Sequence, residues 1–214
     1  MSVYTDKPRR AGRLSSGGPI REAAATLFLE KGYAGTSMDD IAGAAQVSKQ
    51  TIYTHFHSKE ELFADLVLGN AERVEDFIAT MEGKLTEADN VEDALREVAR
   101  LYLRLVMRPE VLRLRRLVVG EAARFPDLAR TYYERVPGRV YHALARIFRD
   151  LSSSRRLRVD DPERAAEHFA WLTLGLPLDR GMFYPPDALT SEEELDRMAD
   201  AAVRVFLSAY GRTK

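Results

Sequence analysis

Residues 37–56, SMDDIAGAAQVSKQTIYTHF, constrain this chain more than any other stretch. Met38, Ile41, Ala42 and Ala45 recur at three- and four-residue spacing, which is one face of a helix. Thr36 or Ser37 can cap its start. Each has an acid three residues on, Asp39 or Asp40, so a capping box is available either way. Val47 falls in a tight connection. Ser48 is placed to cap a second helix, in which Ile52 and Phe56 share a face. Lys49, Gln50, Thr51 and His55 are left pointing mostly outward. A face carrying Lys, Gln, Thr and His near a helix start can enter a major groove, where amides and cations meet base edges and phosphates.

The flanks extend the pattern. Ile20, Ala23, Ala24, Leu27 and Phe28 form a helical stripe, and Gly32 ends it as a C-terminal cap would. Ser58-Lys59-Glu60-Glu61 is a further capping box. It opens a helix whose apolar positions run from Leu62, Phe63, Leu66 and Val67 to Val74, Phe77, Ile78 and Met81. That length predicts one long helix linking two domains.

From about Gly18 to Leu66 the chain resembles the N-terminal DNA-binding domain of TetR-family transcriptional regulators. The matching residues are Ala24, Phe28, Gly32, Tyr33, Thr36, Ile41, Ala45, Val47, Ser48, Thr51, Tyr53, Phe56, Lys59, Leu62 and Phe63. Gln46 stands where the family often has Gly, and a non-Gly residue at positive φ costs about 1–2 kcal/mol. The resemblance implies phosphate contacts from Thr36, Lys49, Tyr53, His55 and Lys59, and base contacts from Lys49, Gln50 and Thr51. With Ser37 at the helix start these make up the DNA-binding set. Gln50 is the most informative member, because Gln can pair with adenine through N6 and N7. Tyr53 also reads as a core aromatic with its hydroxyl at the surface.

Composition limits the other readings. There is no cysteine, which removes disulfides and thiolate metal sites and suits a cytoplasmic location. No signal-peptide stretch is visible at the N-terminus, and no apolar run reaches the ~20 residues of a membrane span. The net charge of −1 says nothing for nucleic acid, so the distribution of charge carries that argument. Residues 1–19 are basic and rich in Ser, Gly and Pro. They read as a flexible arm, either a loose tail or one whose arginines reach the minor groove. No Gly-rich phosphate loop, nucleophile elbow or paired-histidine zinc helix occurs. Catalytic residues, metal ligands and cofactors are therefore not expected.

After residue 66 the periodicity stays helical and strand signals are absent. The domain reading is thus all-α: a basic arm at 1–19, a helix-turn-helix domain at 20–66 with its motif at 37–56, and a larger helical ligand-binding and dimerisation domain at 67–214. Residues 116–140 also look like a TetR subgroup with an AefR-like C-terminal domain. Tyr102, Tyr132, Tyr141, Phe169 and Trp171 sit on helices expected to converge, and aromatics with polar tips suit a mostly apolar pocket. Plain core packing is the competing reading for each. The resemblance puts dimer contacts on the last two long helices, at stripes around Ala166, Ala170 and Leu174 and around Met198, Ala202 and Phe206.

The expected protein is a homodimeric regulator that binds a palindromic double-stranded operator. It is a repressor released by a small, mostly apolar ligand, with no membrane partner. An architectural DNA-binding protein without a ligand is the alternative; the large aromatic C-terminal region argues against it, as the missing motifs argue against an enzyme.

Overall fold

The computed structural model describes residues 17–69, 71–185 and 191–212, with the backbone alone at 71 and 72. The stretch up to residue 16, with most of the expected basic arm, and residues 186–190 lie outside the described residues. Every regular element among them is a helix. The helices are α1 (Gly17–Lys31), α2 (Met38–Ala45), α3 (Lys49–His55), α4 (Lys59–Leu68), α5 (Ala71–Thr86), α6 (Val91–Val106), α7 (Pro109–Gly120), α8 (Pro126–Arg135), α9 (Pro137–Ser153), α10 (Pro162–Phe183) and α11 (Glu192–Tyr210).

The chain divides into two compact units, one of Met1–Asn70 with Arg113–Tyr133, the other of Ala71–Leu112 with Glu134–Lys214. Unit 1 is built on Ile20, Ala24 and Phe28 of α1, Ile41 of α2, Ile52 of α3 and Leu62, Phe63 and Val67 of α4, all buried. Its helix ends follow local chemistry. Gly32 takes φ +72° after α1, and its N–H donates to the Phe28 carbonyl at 3.0 Å. Of the two possible caps for α2, Ser37 is the one used: its hydroxyl accepts from the Asp40 N–H, and the Asp40 carboxylate accepts from the Ser37 N–H. α1 starts at Gly17 rather than after Pro19, since a proline in the first turn leaves no intrahelical hydrogen bond unmade.

Unit 1 is completed by a segment distant in sequence. Phe125, between α7 and α8, sets its ring edge-on to Tyr33, with centroids 4.8 Å apart, and lies 5.6 Å from Phe63. Phe28 and Phe63 close the cluster around Tyr33 at 5.9 and 5.1 Å. The Arg124 guanidinium lies 5.4 Å from the Tyr33 centroid. Arg21 of α1 binds Asp65 of α4 at 2.6 Å and covers the Phe56 ring.

Unit 2 packs α5, α6, α9, α10 and α11 around Leu95, Val98, Leu144, Phe148, Phe169, Val203 and Phe206. Two arginines of α6 tie down α11. Arg100 forks onto both oxygens of Asp200 at 2.9 and 2.7 Å, and Arg104 holds Asp196. Arg156 caps the end of α5 by donating to the carbonyls of Leu85, Thr86 and Ala88.

Two elements differ from the sequence reading. The single long helix after Ser58 is two helices, because α4 ends at Leu68 with Gly69 as its C-cap and α5 starts at Ala71. Glycine in a helix interior costs about 1 kcal/mol relative to alanine, enough to favour a break where no packing opposes it. α10 does the reverse. It runs through Pro177 to Phe183, past a residue type that ordinarily ends a helix. An interior proline costs about 3 kcal/mol. Burial of Pro177, Leu178 and Gly181 on the far side offsets that. Gly181 lets α10 lie close to Leu112: a Cβ there would stand 2.9 Å from a Leu112 methyl, and that side chain would have to shift.

Candidate nucleic-acid interface

α3 presents two unlike sides. Ile52 is fully buried and Phe56, its C-cap, is 4% exposed, which anchors one side in the unit 1 core. Lys49 and Gln50 stand in solvent on the other, and Tyr53 is 39% exposed. Ser48 starts the helix: its hydroxyl accepts from the Thr51 N–H at 3.0 Å and meets the Thr51 hydroxyl at 2.8 Å. The first turn is therefore fixed, which fixes the direction of Gln50. Thr51 and His55 are half-buried along the same helix.

The turn before α3 is tight. Gln46 adopts φ 55°, ψ 38°, the left-handed conformation expected where glycine is the easier residue. The Val47 N–H reaches back to the Ala42 carbonyl at 3.1 Å and closes the helix end.

Three members of the sequence-derived set have other work. Thr36 is 2% exposed, and its hydroxyl binds the carbonyls of Leu27 and Gly32 at 3.1 and 2.9 Å. Its side chain is a brace for the end of α1. Ser37 is spent on the capping box of α2. Lys59 turns inward: its ammonium donates to the carbonyls of Tyr33 and Thr36 at 2.8 and 2.7 Å. It also lies over the Tyr33 ring, 4.1 Å from the centroid. The Tyr33 hydroxyl donates to Glu60 at 2.7 Å. Burial first, then that bond, pushes the Tyr33 phenol well above its ordinary range, and the same bond holds the Glu60 carboxyl below its own.

Lys49 has a partner that sequence reasoning missed. Its ammonium lies 2.9 Å from both carboxylate oxygens of Asp39 on α2. The hydrogen bond and the charge of Asp39 raise the Lys49 pKa. The signal was available, since a helix-turn-helix sets the start of α2 close to the start of α3. Phe125 had no local signal at all.

The aromatic residues proposed for a ligand have unlike surroundings. Phe169 packs edge-on to Phe148 and Phe206, and Tyr102 stacks on Phe77 at 5.2 Å, both as core. Trp171 is 57% exposed, Tyr141 is half-buried, and Tyr132 is buried but belongs to unit 1. A groove of about 180 Å³ between α5 and α9 is lined by none of them; Glu75–Arg139 and Glu82–Arg146 ion pairs bracket it. The dimer set is likewise inside one chain. Ala166, Ala170, Leu174, Ala202 and Phe206 are buried in the unit 2 core and Met198 is half-buried. Among the described residues, the large apolar side chains that α10 and α11 leave in solvent are Trp171, Leu172, Leu176 and Phe183 of α10 and Val205 of α11; Val119 of α7 is exposed as well.

Comparison with known proteins agrees with this geometry. Residues 20–66 match the family of bacterial regulatory proteins of tetR type, and residues 93–212 match the C-terminal domain of AefR-like transcriptional repressors. The helix-turn-helix region is 46% identical over 48 residues to IcaR of Staphylococcus aureus, a negative regulator of the biofilm operon icaADBC. That match covers 22% of this chain and 26% of IcaR, so the chain spans about a quarter of the length of that curated relative. A TetR-family regulator from Mesorhizobium loti shares 38% identity over 95% of this chain and all of its own, with a TM-score of 0.87. The flavonoid-responsive regulator FrrA is 33% identical, covers 92% of this chain and 97% of its own, and superposes with a TM-score of 0.69. A buried-and-exposed α3 behind a left-handed turn, the helical unit 2 and these matches together place the chain in the TetR family, with a C-terminal domain of AefR-like type.

Proposed function

We propose that this chain is a cytoplasmic, sequence-specific DNA-binding repressor that acts as a homodimer on a palindromic operator. The observation that carries the reading is Gln50. It stands exposed in the first turn of a helix whose cap is fixed by Ser48 and whose opposite side is locked by Ile52. A side chain so placed can enter a major groove and read a base edge. Lys49, Tyr53 and His55 flank it as candidate contacts to DNA. Support for repression comes from IcaR, whose matching region is the helix-turn-helix.

Dimer contacts fall on Trp171, Leu172, Leu176 and Val205 in this reading. Large apolar side chains clustered in solvent mark interaction surfaces, and tryptophan is favoured at their centres. A small, mostly apolar or aromatic effector is supported by the apolar build of unit 2 and by FrrA, a relative that responds to flavonoids.

The test is selection of duplexes from a random pool by the full chain. A palindromic consensus is the expected result, with half-sites about one helical turn apart or a multiple of it. Enrichment of no sequence overturns the reading and favours an architectural role.

A further inference from the structure

The start of α2 is an unusual place for a DNA-binding surface to carry acid. Two carboxylates, Asp39 and Asp40, occupy its first turn. Asp40 is consumed by the capping box with Ser37. Asp39 is not: its side chain is 70% exposed and its contact is the Lys49 ammonium, held at 2.9 Å by both oxygens. Lys49 is the first residue of α3, so the cation nearest to Gln50 in sequence is already neutralised when the protein is free.

That pairing has a direct electrostatic consequence. Binding to DNA of arbitrary sequence is driven by cations that displace counterions from phosphates. A lysine paired with a carboxylate on the same face adds little to that drive, and the carboxylate itself repels phosphate. The pair is exposed at both ends, 51% at Lys49 and 70% at Asp39, so it is weak enough to exchange for a better partner. A guanine edge, with two acceptors converging on one cation, is such a partner.

We propose that Asp39 is a specificity-determining residue: it withholds Lys49 from phosphates, keeps binding to arbitrary DNA weak, and yields the ammonium where a base edge replaces the carboxylate. This rests on the reading of the chain as a sequence-specific DNA-binding protein. Asp39 acts through Lys49 and is a positioning residue.

The experiment uses the full chain, a duplex selected by it from a random pool, and a shuffled duplex of equal composition, each titrated across a range of salt concentrations. Asp39→Asn is expected to tighten the shuffled duplex about eightfold near 0.1 M salt, the factor supplied by one released counterion, and to steepen its salt slope by about 0.9. The selected duplex gains less, so the ratio of the two affinities falls. Lys49→Ala combined with Asp39→Asn, which removes both charges of the pair, weakens the selected duplex and leaves the shuffled one unchanged. Asp39→Glu retains the wild-type ratio and slope. A fold effect would show as a changed thermal midpoint, which none of these exposed positions predicts. Equal shifts on both duplexes with Asp39→Asn, or an unchanged slope on the shuffled one, overturn the role of Asp39 while the DNA-binding reading stands. A pool that yields no consensus overturns both.

Discussion

The Lys59 ammonium rests over the face of the Tyr33 ring, 4.1 Å from its centroid, while donating to the carbonyl of the same residue at 2.8 Å. A cation at the start of a helix near DNA reads from sequence as a phosphate contact. Here it bridges the carbonyls of Tyr33 and Thr36 and so fixes the connection between α1 and α2. Lys59→Ala is expected to lower stability by about 1.5–3 kcal/mol, the range for hydrogen bonds made by a charged group. Urea unfolding measures it. A variant that unfolds like wild type yet binds DNA with a flatter salt dependence would return Lys59 to the phosphates.

Gln50→Ala separates reading from holding. Truncation is expected to relax preference at one base position and to cost about 1–3 kcal/mol on the selected site only. Competition binding against single-base variants of that site gives the answer. A uniform loss across all variants would make Gln50 a backbone contact.

The Glu60 carboxyl supplies a pH dependence. Its unfolded value is near 4.5 and its folded value is lower, chiefly through the Tyr33 hydroxyl bond. The stabilisation is therefore complete above about pH 4.5 and is lost as pH falls through the lower folded value. Glu60 is largely exposed, so the contribution is small. Tyr33→Phe is expected to reduce the acid sensitivity of unfolding, and Glu60→Gln to do the same. The double variant should add nothing to either one; additive effects would break the link between the two groups.

The two apolar sides of α10 give opposite outcomes. Leu176→Arg, on the exposed side, is expected to yield folded monomers by light scattering. Leu174→Arg, on the buried side, is expected to unfold unit 2, because it places an unpaired charge in a packed core. A Leu176→Arg protein that remains dimeric moves the interface elsewhere.

The helix starts of this chain were legible because capping is local. Ser37 with Asp40, Ser48 and Ser58 each make their cap bond within three residues of themselves. The left-handed Gln46 was legible through the family resemblance, which often has glycine at that turn. What escaped the sequence depends on the third dimension. Phe169 and Trp171 lie two residues apart on a helix that is apolar on both sides, and periodicity alone cannot say which side meets its own core. The inward turn of Lys59 and the pairing of Lys49 with Asp39 likewise require the neighbouring helix in place.

Phe125 gives the helix-turn-helix unit an ingredient encoded far from the rest of it. Removed from its place beside Tyr33 and Phe63, it would leave two large rings facing water. A head piece cut after Gly69 would thus be born with a sticky wound and would self-associate. Chimeras that transplant this head onto another regulator's body must carry residues 113–133 along with it, or supply an equivalent plug; the unit of exchange is a discontinuous graft, and a single splice point at the start of α5 cannot deliver it.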